Sequence, residues 1–301
     1  TFGDARMRRI PYERALLRAE APGEVTYVDV FSVSKHDLPA GVDGETLGMQ
    51  NAIMFVDSYS RHETLFFCKS QRELPQFARL YMLQLGTQAH IAGHFLLGAG
   101  FRRRSVHTDG GTPMNSKEFE AVLLECGLAA NVTTCPDTPE SNSVVERRFG
   151  TLIADVRSRL HMSGVDRRHW HHAARHSVVM RNKLASQRVV DPETGDVSWV
   201  TPAELFYGRR PSHRRTVAFG APCRVLIQGA ARKRAGKLAQ PCVRGRVLGH
   251  GEDGVQFGKA FRFMMGYIVL LDSGELVYSK QVEIDERPLL AGGHTHAASG
   301  R

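Results

Sequence analysis

The alternation of apolar and polar positions divides this chain into an early strand-rich stretch, a middle helical stretch and a late strand-rich stretch. Val25-Thr26-Tyr27-Val28 opens a strand over 24–33. Alternating runs at 52–57 and 63–69 follow, joined by the short turn Ser58-Tyr59-Ser60-Arg61, and the three segments predict an antiparallel meander. Leu74, Phe77, Ala78, Leu80, Tyr81 and Leu85 recur at helical spacing and predict a helix over 74–85. A short strand at 106–109 comes next, then a helix over 116–126 with Ser116 as its N-cap, then a strand over 128–133. The strongest periodicity lies between Glu140 and Leu160, where Val145, Phe149, Leu152, Ile153, Val156 and Leu160 form one stripe. A second helix of mixed polarity is predicted over 169–184. After a stretch containing Pro and Gly, short strands at 224–227, 243–248, 264–271, 275–278 and 281–284 alternate with glycine turns.

The order β-β-β-α-β-α-β-α is mixed α/β. The first three strands join through short connections, which favours an RNase H-like mixed sheet with flanking helices over a doubly wound sheet. The expected organisation is a basic N-terminal arm (1–22), an RNase H-like core (23–190), a linker (191–222), a small β-rich domain resembling an SH3-like barrel (223–286) and a disordered tail (287–301).

Charge narrows the partners. A formal net charge of +9 over 301 residues points to a polyanion, nucleic acid before an acidic membrane surface. The five cysteines are scattered without a CxxC pair, so neither a disulfide framework nor a zinc finger is expected. No run of about 18 apolar residues exists, so no membrane partner is expected. The first residue is Thr1, which suggests a segment of a longer precursor.

Three acids carry the candidate chemistry. Asp29 follows the first apolar run, Asp109 closes a short strand before Gly110-Gly111, and Glu146 lies at the edge of the apolar stripe early in the best helix. Strand-end aspartates plus a helical glutamate suit two hard divalent cations, Mg²⁺ or Mn²⁺. Without metal, two carboxylates about 4 Å apart repel by about 4 kcal/mol at an effective dielectric near 20. Taken singly, each acid has an ordinary reading as a turn, cap or surface residue, and Asp57, which also ends an apolar strand, competes with Asp29 for the first position. Arg147, Arg148, Arg157 and Arg159 are placed to hold phosphates, as are the clusters Arg102, Arg103, Arg104 and Arg232, Lys233, Arg234, Lys237. His90 and His94 stand one helical turn apart, but Gly93 and the lack of cysteine partners argue against a metal pair. His169, His171, His172 and His176 read as a polar helix face around a packed Trp170.

At these residues the chain resembles the integrase of copia-type LTR retrotransposons. The blocks that carry the resemblance are Thr26-Tyr27-Val28-Asp29-Val30, Phe55-Val56-Asp57-Ser58-Tyr59-Ser60-Arg61, His107-Thr108-Asp109-Gly110-Gly111, Lys117-Glu118-Phe119, Thr138-Pro139-Glu140-Ser141-Asn142 and Val144-Val145-Glu146-Arg147-Arg148. Thr201 to Pro211, Ala218-Phe219-Gly220 and Val247-Leu248-Gly249-His250 extend it downstream. The resemblance implies that Asp29, Asp109 and Glu146 are the catalytic, metal-holding triad and that Asp57 is a turn residue. It also implies trimming of element DNA ends and joining of their 3′-hydroxyls to target DNA, with Mg²⁺ or Mn²⁺, by a homo-oligomer acting in the nucleus after a cytoplasmic particle stage. A zinc-binding module is expected upstream of Thr1. The departures are Thr112-Pro113 where the family has Glu-Phe, and Asp137 and Ser143 where it has tyrosine and glycine; the last should stiffen the loop before Glu146. The alternatives are a catalytically silent DNA-binding remnant and an RNase H-type nuclease that only hydrolyses.

Overall fold

The computed structural model describes residues 19–34, 49–91, 105–109, 111–127, 131–133, 143–190, 193–227, 240–251, 254–257 and 260–287. The first sheet is built from β1 (Val25–Ser32), β2 (Asn51–Asp57), β3 (Glu63–Cys68), β4 (Ser105–Thr108) and β5 (Asn131–Thr133). Its order is β3-β2-β1-β4-β5. β2 runs antiparallel to β1 and β3, while β4 and β5 run parallel to β1. This is the mixed α/β architecture that the short early connections predict.

Strand alternation gives the sheet two packed faces. Val28, Ile53, Phe55 and Phe66 pack under α1 (Leu74–Ile91) and α2 (Lys117–Glu125) with Phe77, Tyr81, Phe119 and Val122. Tyr27, Phe31, Met54, Val56 and Phe67 face α3 (Ser143–Ser163) and α4 (Trp170–Lys183), meeting Val145, Phe149, Leu152 and Trp170. Ser116 caps α2 as expected, its hydroxyl accepting from the Phe119 N–H. α1 continues past the expected end at Leu85 to Ile91; the apolar stripe stops there, but no proline breaks the backbone ladder. α3 begins at Ser143, where the sequence puts a substituted loop glycine; Asp137 and Glu140 lie outside the described residues.

The end of the expected core and the stretch expected as linker carry elements of their own. β6 (Gln187–Val190) and β7 (Val197–Val200) form a hairpin across the expected boundary at 190/191, and α5 (Pro202–Tyr207) follows. Thr201 caps α5 by accepting from the Glu204 N–H, and Gly208 ends it in the left-handed region at φ 69°. Phe206 enters the α1/α2 core, so this segment is tied to the first sheet. The strand pattern was missed because Val189, Val190, Val197 and Trp199 are all exposed, which removes the in/out alternation.

The expected small barrel is a five-stranded antiparallel sheet in the order β13-β12-β9-β8-β14. Its strands are β8 (Pro222–Leu226), β9 (Cys242–His250), β12 (Tyr267–Leu271), β13 (Leu276–Ser279) and β14 (Val282–Ile284). A separate hairpin, β10 (Val255–Phe257) with β11 (Ala260–Arg262), precedes β12. Phe219, Leu248 and Ile268 pack on Val165 and Ala173, seating this sheet against the α3–α4 pair. Among the described residues no helix is long and apolar enough to cross a membrane.

Candidate functional site

β1 and β4 bring the two aspartates together. Tyr27 pairs with His107 across the parallel ladder, and their rings lie 5.2 Å apart. Asp29 and Asp109 each lie two residues further along, on strands that sit about 4.8 Å apart in such sheets. Period-two alternation puts both on the Tyr27 side, the side covered by α3. One oxygen of each is held by a backbone donor. The Val30 N–H donates to Asp29 Oδ1 at 2.7 Å, and the Gly111 N–H donates to Asp109 Oδ1 at 2.9 Å. A Cβ at Gly111 would stand 3.2 Å from Asp109 Oδ1, so the carboxylate would have to shift by a few tenths of an ångström to admit one.

Glu146 comes from α3. Val145 is buried against the sheet, and the Phe149 ring lies 5.6 Å from that of Phe31, two residues beyond Asp29. This anchors the first turns of α3 over the end of β1, with Glu146 on the exposed edge of the stripe. The electrostatics report the convergence. Burial pushes the Asp29 carboxyl up to about 6, the Val30 N–H opposes this, and the charges of Asp109 and Glu146 push it further up. The three carboxylates thus share one field. As placed, they are not drawn into a closed ligand set: among the described residues no group of three or more His, Cys, Asp or Glu could hold a metal ion. The donor chemistry still fits a hard divalent cation, since two half-fixed carboxylates and a third on a helix edge offer only oxygen ligands and mutual repulsion for a cation to relieve.

Asp57 does not compete for this role. It is fully buried and both its oxygens are taken. The Gly23 N–H donates to Oδ1 at 2.6 Å, and the Ser60 N–H and hydroxyl donate to Oδ2 at 2.7 and 2.6 Å. The Arg61 N–H closes the turn onto the Asp57 carbonyl at 2.9 Å, with Arg61 at φ 62°.

The arginines after Glu146 divide. Arg147 and Arg157 have exposed side chains. Arg148 is directed inward to the buried carboxylate of Glu63, with 3.2 Å between Nη1 and Oε1, so it serves an internal ion pair where a phosphate contact was expected. Arg159 donates to the Ser177 hydroxyl at 2.6 Å. Arg102, Arg103, Arg104, Arg232, Lys233, Arg234 and Lys237 lie outside the described residues, as does His94. The histidines of α4 are not a solvated polar face. His169 is buried and His171 and His172 are half-buried; burial pushes all three down, His171 to about 3. Trp170 packs in the core edge-on to Phe67, as expected. Sequence reasoning missed Glu63 and Arg181, because a charged residue opening an apolar strand or in a helix of mixed polarity looks like a solvent-facing position until its partners are known.

No protein-family model matches the chain. Among curated proteins it is similar to retrovirus-related Pol polyproteins: that of transposon TNT 1-94 from Nicotiana tabacum (21% identical over 70% of this chain), and those of transposons RE2 and RE1 from Arabidopsis thaliana (20% identical over 93% and 78%). The chain spans only 14%, 16% and 14% of those three relatives. The resemblance to copia-type elements drawn from the sequence blocks holds at this level. The structure also aligns with the simian T-cell lymphotropic virus intasome solved by cryo-EM in complex with PP2A regulatory subunit B56 gamma, at a TM-score of 0.42 and 14% identity, over 89% of this chain and 80% of that one.

Proposed function

We propose that this chain is a retrotransposon integrase, a polynucleotidyl transferase that trims the ends of element DNA and joins their 3′-hydroxyls to target DNA. The observation that carries the reading is the shared field of Asp29, Asp109 and Glu146, assembled from the interior of β1, the residue just past β4 and one helix edge. Kinship with Pol polyproteins of plant transposons supports it.

In this reading Asp29, Asp109 and Glu146 are the residues that would hold Mg²⁺ or Mn²⁺, each offering carboxylate oxygen. A bound divalent pair supplies an activated water or 3′-hydroxyl and a sink for charge on the leaving oxygen. The chain's own residues prepare that chemistry. The Val30 and Gly111 N–H groups each fix one oxygen of an aspartate. Asp29, which burial raises to about 6, would have to be ionised to hold a cation, so binding would be coupled to its deprotonation. Arg147 and Arg157, exposed on the same helix as Glu146, contact DNA phosphates. The assembly works as a homo-oligomer on element and target DNA in the nucleus.

The test is a strand-transfer assay with short element-end duplexes and Mn²⁺ or Mg²⁺. The expected product is joined DNA, lost in Asp109→Asn while salt-sensitive DNA binding persists. Nicked but never joined DNA identifies a nuclease, and no turnover by folded protein identifies a silent DNA-binding remnant.

A further inference from the structure

A carboxylate inside the packed sheet–helix layer needs an explanation. Glu63 on β3 has a side chain 1% exposed. It belongs to one cross-sheet row, Glu63–Val56–Tyr27–His107, and Asp29 and Asp109 stand two residues beyond the last two members. Its neighbours on the same face, Leu65 and Phe67, are apolar. Glu63 instead receives two guanidiniums. Arg148 of α3 reaches Oε1 at 3.2 Å, and Arg181 of α4 donates to Oε2 from Nη2 at 2.5 Å and from Nε at 3.1 Å. Arg181 also grips Asp155 of α3 at 2.9 Å.

Stability alone does not account for this network. Burying charges is costly, and a well-packed apolar set of similar volume is often as stable or more so. An ion pair between a strand and a helix adds direction: Arg148 meets Oε1 as a charge contact, beside the hydrogen-bonded Arg181 on Oε2. Arg148 lies two residues past Glu146, so at about 100° per residue the two side chains leave α3 about 200° apart. Holding Arg148 on the sheet therefore sets which way Glu146 leaves the helix. A rotation of α3 by about 30° would swing a carboxylate about 6 Å from the axis through roughly 3 Å. Metal–oxygen distances tolerate about a tenth of that.

We propose that Glu63 is a positioning residue for the acidic site: through Arg148 it fixes the rotation of α3 and thereby the direction of Glu146 toward Asp29 and Asp109. The inference rests on the reading of those three acids as metal ligands. Residues that orient ligands without touching the metal typically change its affinity by about 10- to 100-fold, which sets the expected effect.

The experiment is calorimetric titration of the chain with Mn²⁺ in the absence of DNA, with circular dichroism to establish folding. Asp109→Asn should abolish Mn²⁺ binding. Glu63→Gln should weaken it at least about tenfold while leaving DNA affinity within about twofold. Arg148→Met, which keeps the Glu63–Arg181 pair, should weaken it equally and decides the matter if Glu63→Gln does not fold. Arg148→Lys, which returns a cation to Glu63, should recover most of the affinity. Asp155→Asn, which loosens Arg181 but spares the Glu63–Arg148 contact, should stay within about twofold. Wild-type Mn²⁺ affinity in folded Glu63→Gln or Arg148→Met overturns the positioning role while the ligand reading stands. Equal weakening in Asp155→Asn also overturns it, since general loosening of α3 then suffices. Wild-type affinity in Asp109→Asn removes the ligand reading and the positioning role together.

Discussion

The carboxamide of Gln256 is bonded both ways to the backbone of Phe67: its oxygen accepts from the Phe67 N–H at 2.8 Å and its nitrogen donates to the Phe67 carbonyl. β3 is the edge of the first sheet, so these groups point where a further strand would pair. Asn182 does the same at Glu63, accepting from its N–H at 2.9 Å and donating to its carbonyl at 2.8 Å. Two side-chain amides thus occupy an edge that would otherwise template pairing with another chain. Gln256→Ala leaves two buried backbone groups of Phe67 without this partner, and a loss of about 2–4 kcal/mol is expected in urea unfolding. Concentration-dependent association should rise with it; an unchanged midpoint and no association would show that Gln256 does not protect the edge.

The Gln256–Phe67 contact shows what the sequence could not convey. Strands, helix stripes and the Ser116 cap were legible because each rests on residues a few positions apart. Asp109 was legible as a strand-end position and Glu146 as a helix-edge one. Asp29 was expected at a strand end but lies inside β1, because the apolar run breaks at Asp29 while the strand continues through Val30-Phe31-Ser32; the joint field follows from the β1–β4 register. Glu63, Arg181 and Gln256 were not, because their partners lie far off in the chain and no local pattern marks an inward-pointing charge or amide. Exposed valines in β6 and β7 concealed a hairpin for the opposite reason, since periodicity reports burial and this hairpin has little.

Gly220 is a close approach as well as a turn. Its φ is 75°, and a Cβ there would lie 2.1 Å from Ser163 Cβ at the end of α3. Its N–H donates to the Val247 carbonyl at 2.7 Å, tying the helix end to the second sheet. Gly220→Ala therefore combines a left-handed penalty with a clash, and should cost about 2–4 kcal/mol. Ser163→Gly in the same chain removes the clash but not the backbone strain, so it should recover only part of the loss in thermal unfolding.

Buried histidines make stability depend on pH. Burial pushes His62, stacked on Phe206 at 4.3 Å, and His171 down to about 3. Their folded-state values lie below the unfolded value near 6.5, so the unfolded chain binds the extra protons. Their contribution is complete above about pH 6.5 and declines toward pH 3, by at most about 1.4 kcal/mol per pH unit for each. Asp29, raised by burial to about 6, acts with opposite sign below that pH, and Asp57, also raised by burial, acts in the same direction as Asp29. With more histidines than raised carboxyls titrating, urea midpoints should fall from pH 7 to pH 5. His62→Phe, which keeps the ring stack, should flatten that slope; an identical slope in the variant would exclude His62 as a source.

Arg157 is exposed on α3. If it contacts a phosphate, Arg157→Ala should weaken binding to duplexes of any sequence and lower the slope of log affinity against log salt by about 1. Arg148→Met should change that slope less, since its guanidinium is engaged by Glu63. Fluorescence anisotropy across a salt series measures both. Equal slopes for wild type and Arg157→Ala would remove Arg157 from the phosphate surface.

The raised Asp29 carboxyl means that the acidic site strains the metal-free fold. Burial and the charges of Asp109 and Glu146 hold it near 6 against an ordinary 3.8. At neutral pH the ionised group therefore disfavours the folded state, by about 1–2 kcal/mol once solvent screening is allowed for. Asp29→Asn keeps an acceptor for the Val30 N–H and removes the charge. In EDTA it should raise the unfolding midpoint, while the wild type alone should gain stability on adding Mn²⁺. The two effects have one cause, because the repulsion relieved by the substitution is the repulsion a cation neutralises. A variant no more stable than wild type in EDTA, with Mn²⁺ stabilising both alike, would show that Asp29 neither carries the strain nor receives the metal.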